Sequence, residues 1–141
     1  TGDQRNLRWV VDLVASYTGI PGVTLGVNVD VGGEEDAAAD GGSATWWGIA
    51  GYAKYQAKPN WALVGRYEYN DDTDGGFMTF GTKVQSFTVT SDHLVAGGLK
   101  LRLEYRTDFA SEAIFPKDDG SDEKSQTTLT VGLVYGFGGK I

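Results

Sequence analysis

Cysteine is absent from the 141 residues and histidine occurs once. That removes disulfides, thiol catalysis and thiolate metal sites, though it leaves the redox compartment open. No run of 18 or more apolar residues occurs, so a transmembrane helix is excluded. A transmembrane sheet is not, because barrel strands are apolar only at every second position. The clustered positive field that nucleic acid requires is also missing, the formal net charge being -7, and nucleic acid is not an expected partner. Thr1 is not followed by a basic segment and an apolar stretch, so no signal peptide opens the chain, which is expected to be mature, processed or a piece of a longer one. With 3 prolines against 21 glycines and 12% aromatics, the composition favours a sheet with many turns over a helical bundle.

Present instead is alternation. From Leu99 to Asp108 the order is Leu-Lys-Leu-Arg-Leu-Glu-Tyr-Arg-Thr-Asp, which turns Leu99, Leu101, Leu103 and Tyr105 to one side of a strand and Lys100, Arg102, Glu104, Arg106 and Asp108 to the other. A wall between lipid and an aqueous lumen requires such a strand. The same period recurs over residues 8–17, 23–31, 45–55, 61–70, 84–90 and 126–137, predicting seven strands in one domain. Their connections alternate: short turns at about 18–22, 56–60 and 91–93, and long, mostly acidic loops at about 32–43, 71–82 and 109–124. Outer-membrane barrels sort their connections in this way, with periplasmic turns and extracellular loops. The expected fold is therefore all-β, an antiparallel up-and-down transmembrane barrel with about seven to eight strands in this chain, complete or part of a larger barrel.

Aromatic spacing supplies a height. Trp9 and Tyr17, Trp47 and Tyr55, and Trp61 and Tyr69 lie eight residues apart on the apolar faces. Eight residues correspond to about 26 Å along a strand and about 20 Å along the membrane normal, close to the apolar band between two interfacial girdles. With Tyr105, Tyr135 and Phe137 these rings form the expected lipid-facing set. The opposite faces place Arg8, Asp12, Asp30, Lys54, Arg66, Glu68, Lys100, Arg102, Glu104, Arg106 and Asp108 toward the lumen. Arg66, Glu68, Arg102 and Glu104 are expected to meet across the small, polar fifth strand. Such a ladder would either set the field of an open pore or satisfy itself as a salt-bridge network inside a filled barrel.

Twelve of the nineteen acidic residues fall in the three long loops. They would either gather cations, including divalent ions that bridge to lipopolysaccharide, or keep the loops soluble. Asp118 to Glu123 lacks calcium-loop spacing, its glycine standing third instead of sixth. His93 has Ser91 and Asp92 beside it in sequence, which is not how a triad is assembled. The glycine-rich stretch Gly136-Phe137-Gly138-Gly139 opens no helix that would hold a phosphate. No catalytic residue, metal site or cofactor is expected.

An internal echo links Arg66-Tyr67-Glu68-Tyr69-Asn70-Asp71-Asp72 to Arg102-Leu103-Glu104-Tyr105-Arg106-Thr107-Asp108 as R-x-E-Y-x-x-D. With the loop start Asp71-Asp72-Thr73-Asp74-Gly75 and the segment Leu129 to Phe137, it resembles the OmpL-like family of outer-membrane β-barrel porins, and the likeness runs from about Trp47 to Phe137 as the C-terminal portion of such a barrel. The resemblance implies a larger barrel, a Gram-negative outer membrane with its lipid and lipopolysaccharide as surroundings, and passive diffusion of small hydrophilic solutes or ions without catalysis. Single-chain bacterial barrels have even strand numbers, so seven strands imply a further strand, a longer barrel or a barrel shared between chains. Two other readings remain: a structural or interaction barrel holding a partner protein, and a soluble all-β binding domain.

Overall fold

The computed structural model describes residues 6–38, 40–76 and 81–136. Its elements are β1 (Arg8–Ile20), β2 (Val23–Glu34), β3 (Ala44–Lys58), β4 (Trp61–Asp72), β5 (Thr82–Ala96), β6 (Leu99–Ala110), β7 (Phe115–Pro116), β8 (Asp122–Glu123) and β9 (Ser125–Tyr135). Seven of them form one antiparallel meander in the order β1-β2-β3-β4-β5-β6-β9, while β7 and β8 pair as a small hairpin within the last long connection. The described sheet is open, with β1 and β9 at its edges.

The tight connections lie where backbone geometry demands them. Pro21 presets φ and Gly22 takes φ +75°, the pattern of a type II turn. Gly97 and Gly98 both have positive φ, +51° and +87°, as the two central residues of a type I′ hairpin require. This corrects the expected turn at Ser91-Asp92-His93, which lies inside β5. Its three polar side chains broke the apolar pattern, but the ladder is carried by the backbone, and the alternation of faces continues unbroken through them.

Burial is inverted relative to a water-soluble protein. On β3, β5 and β6 the concave face is covered, with Ser86, Thr88, Thr90 and Asp108 all buried beside Trp46 and Ala50. The convex face of the same strands exposes Trp47, Ile49, Phe87, Val89, Leu103, Tyr105 and Phe109. A soluble barrel or sandwich would turn those large apolar groups inward, because burying them is what stabilises it in water. Here they find an apolar partner only if the medium outside is lipid.

The convex side chains of β5 also mark the height of that medium. Lys83 pairs with Asp71 at 3.0 Å near the long-loop end, and His93 stacks on Trp61 with ring centroids 5.7 Å apart near the turn end. Their ten-position separation corresponds to about 33 Å along the strand, or about 25 Å along the normal at barrel tilt. Val89, one position from the midpoint, stands near the centre of the band. Val89→Arg is expected to destabilise the folded protein by about 2–4 kcal/mol, the cost of a guanidinium on the lipid face near the midplane, measured by urea unfolding in phospholipid bilayers.

Candidate functional site: the inner wall

Every expected lumen residue lies on the concave parity of its strand, and β4, β5 and β6 carry the densest set. The antiparallel register places Glu68 opposite Ser86 and Ser86 opposite Asp108, while Arg66 faces Thr88 and Thr88 faces Arg106. The small side chains of β5 leave room for long ones from both sides to meet. Arg66 Nη2 reaches Glu68 Oε1 at 2.5 Å, and Arg106 reaches the other Glu68 oxygen at 3.5 Å. Arg106 Nε donates to Asp108 at 2.8 Å and its Nη2 to Ser86 at 3.0 Å. Ser86 and Gln126 donate in turn to the two Asp108 oxygens, at 2.5 and 2.9 Å.

The expected four-member cluster is thereby corrected. Arg66 and Glu68 meet Arg106 and not Arg102 or Glu104, because the register sets Arg66 level with Arg106, four residues beyond the partner that the R-x-E-Y echo suggested. Arg102 instead makes a bidentate contact with Asp92, Nε to Oδ1 at 2.8 Å and Nη2 to Oδ2 at 2.9 Å. Lys100 approaches the same carboxylate at 3.4 Å. Glu104 accepts from the Thr90 hydroxyl at 2.9 Å. Asp92 was expected in a turn, and Glu34 and Asp72 in the long loops, whereas all three lie within strands on this face. The signal was there in the even positions Thr88, Thr90 and Asp92, which keep one parity.

The strands β1, β2 and β3 carry the rest of the wall. Asp12 and Asp30 face each other directly across β1 and β2, with Asn28 Nδ2 donating to Asp12 at 2.5 Å. Arg8 pairs with Glu34 at 3.1 Å and lies 5.0 Å above the Trp46 ring. Trp46 and Tyr52 lie over Gly32 and Gly26, where any Cβ would collide with the rings; glycine is what lets the two aromatics lie flat on the inner surface. Asp30, Trp46, Gly48, Asn70 and Asp72 line a cavity of about 230 Å³. Lys54 and Lys100 line another, of about 170 Å³, at the tight-turn end.

On the outer face, Trp9, Tyr17, Trp47, Tyr55, Tyr105 and Tyr135 are exposed. Tyr69 packs on Trp47 with centroids 5.1 Å apart. Trp61 donates from its indole nitrogen to Ser91 at 2.9 Å, an arrangement suited to a water-lipid boundary. Tyr105 stands at mid-strand opposite Val89 and Leu129 and so lies between the girdle levels, and Phe137 falls outside the described residues. Tyr67, Phe87 and Phe109 are further exposed rings on this face; the odd-numbered parity of β4 and β5 implied the first two, whereas Phe109, expected in the third long loop, continues β6.

The long loops are tied back to the sheet. Asp74 accepts from the Thr45 amide and hydroxyl at 3.0 and 2.9 Å, and Ser111 bonds the Thr82 hydroxyl at 2.8 Å. Within the last loop Ser121 donates to Asp119 from both amide and hydroxyl, which holds that carboxyl below the usual carboxylate range. Among the described residues no group of three or more acidic, histidine or cysteine side chains is arranged to hold a metal ion.

An antiparallel meander that buries an ionised face and exposes an apolar one, with tight turns at one end and acidic loops at the other, defines the wall of a porin-like outer-membrane β-barrel. The chain belongs to the Putative beta-barrel porin-2, OmpL-like family, whose profile matches residues 1–137. The match takes in β1 and β2 as well as the segments that carried the resemblance. No curated protein and no solved structure matches the chain.

Asp108, 4% exposed, holds three donors together. Asp108→Ala leaves Arg106, Ser86 and Gln126 without their common acceptor and is expected to cost about 2–3 kcal/mol, the range for removing a buried charged hydrogen-bond partner. Glu104→Gln, which keeps an acceptor for Thr90, should cost under about 1 kcal/mol. Urea unfolding of the two variants in the same lipid, followed by tryptophan fluorescence, checks the order.

Proposed function

We propose that the chain forms the wall of a passive diffusion pore for small hydrophilic solutes or ions in a Gram-negative outer membrane, without catalysis. One observation carries the reading: strands whose convex side suits lipid present arginines, lysines and carboxylates on the concave side, where only water or polar solute can solvate them. The surroundings that fit are outer-membrane lipid and lipopolysaccharide. In lipid a free strand edge leaves backbone groups unpaired at several kcal/mol each. The open edges of β1 and β9 therefore take up further strands, from the same chain or another, and the barrel closes.

In such a pore Arg66 and Arg106 stand at one level of the wall, paired there with Glu68 and Asp108, and they tune which ions pass. Protein inserted in planar bilayers should give discrete conductance steps. Arg66→Gln with Arg106→Gln should raise the cation-to-anion permeability ratio by about 2–5-fold at low salt, where lining charge is least screened. Inserted protein that carries no current would overturn the pore and leave a closed structural or interaction barrel.

A further inference from the structure

The lining charges are not spread evenly along the strands. Above the level that Arg66 and Arg106 share, toward the long loops, the concave face carries Asp12, Asp30, Glu34, Glu68, Asp72 and Asp108 against Arg8. Below that level, toward the tight turns, it carries Lys54, Lys100 and Arg102 against Asp92 and Glu104. The acidic loops extend the first half outward. At the other end Lys54 and Lys100 border one depression of about 170 Å³ with Gln56, Asn60 and Asp92 between them. Arg102 and Lys100 converge on the single carboxylate of Asp92, so this end keeps a surplus of positive charge.

We propose that the pore rectifies: its extracellular half admits cations, its periplasmic end admits anions, and ionic current through it depends on the polarity of the voltage. The inference rests on the open-pore reading above. The reason is electrostatic. When the extracellular side is positive, cations are drawn in through the acidic half and anions through the basic end, so both accumulate within the pore and conductance rises. Reversed voltage pulls each ion out through the end that admits it, and the interior is depleted. The effect depends on fields reaching across the lumen and therefore on the Debye length, about 10 Å at 0.1 M salt and about 3 Å at 1 M.

Single channels of the full chain are recorded in planar bilayers at equal positive and negative voltages, in 0.1 M and 1 M KCl; the size of the asymmetry does not depend on which way a channel inserted. The expected ratio of the two conductances is about twofold or more at 0.1 M, falling toward one at 1 M as screening shortens. Lys54→Glu with Lys100→Glu makes the turn end acidic as well and should bring the low-salt ratio close to one while current persists. Equal conductance at both polarities in 0.1 M KCl overturns the inference and leaves the pore standing. A ratio unchanged between 0.1 M and 1 M KCl also overturns it, since charge on the wall would then not be the cause, and this arm needs no variant. Inserted protein without any current overturns the pore reading itself.

Discussion

A peptide group in hydrocarbon has no water to bond to, and the rest of this structure depends on that. Each spanning strand must give its N–H and C=O groups to a neighbour on both sides. The five strands β2 to β6 do so in an almost unbroken antiparallel ladder, with irregularities confined to positions beside the tight turns. Once the backbone is fixed in this way, the side chains have no further choice of face. They alternate, and whatever occupies even and odd positions becomes two surfaces of opposite chemistry.

The result reverses the usual order of burial. On β5 small hydroxyl side chains fill the covered face, and its rings and aliphatic chains stand outside. Across β4, β5 and β6 the inner wall is therefore held chiefly by hydrogen bonds and ion pairs, while Trp46 and small apolar residues fill the covered face of β3. Ser86 sits between Arg106 and Asp108 as a shared partner, so that charge from β6 is anchored across β5 to Glu68 on β4. Fully satisfied networks of this kind rigidify a polar interior, whereas a half-satisfied one would be worse than none. Among the described residues no buried side-chain nitrogen or oxygen lacks a partner.

The same network shows how proximity in a sheet differs from similarity in sequence. The R-x-E-Y echo makes β4 and β6 look like equivalent strands whose matching residues should meet. They run in the same direction with β5 between them, and two antiparallel registers in succession set the offset. Arg66 is brought level with Arg106, and Arg102 is left to find Asp92. The half of the wall nearer the tight turns thus has a separate anchor from the half nearer the long loops, and the charges divide along the strands as well as across them.

Much of this was legible in the residues alone. Period-two alternation named all seven strands of the sheet and the shared parity of the charges within them, Glu34, Asp72 and Asp92 apart, because side-chain direction in a strand is a local property. The sorting of tight turns from long loops was equally visible, down to the acidic character of the loops. The extent of β5 was not, because Ser91, Asp92 and His93 look like a turn until backbone pairing with Trp61, Ala62 and Leu63 draws them into the ladder. Nor was the identity of any salt bridge, nor the burial of Asp72 and Asp108. Those depend on inter-strand register and on the curvature that covers one face, both properties of several strands together that no single stretch encodes. The sequence by itself determined which side chains share a face of the sheet; the assembled sheet decided which of them touch.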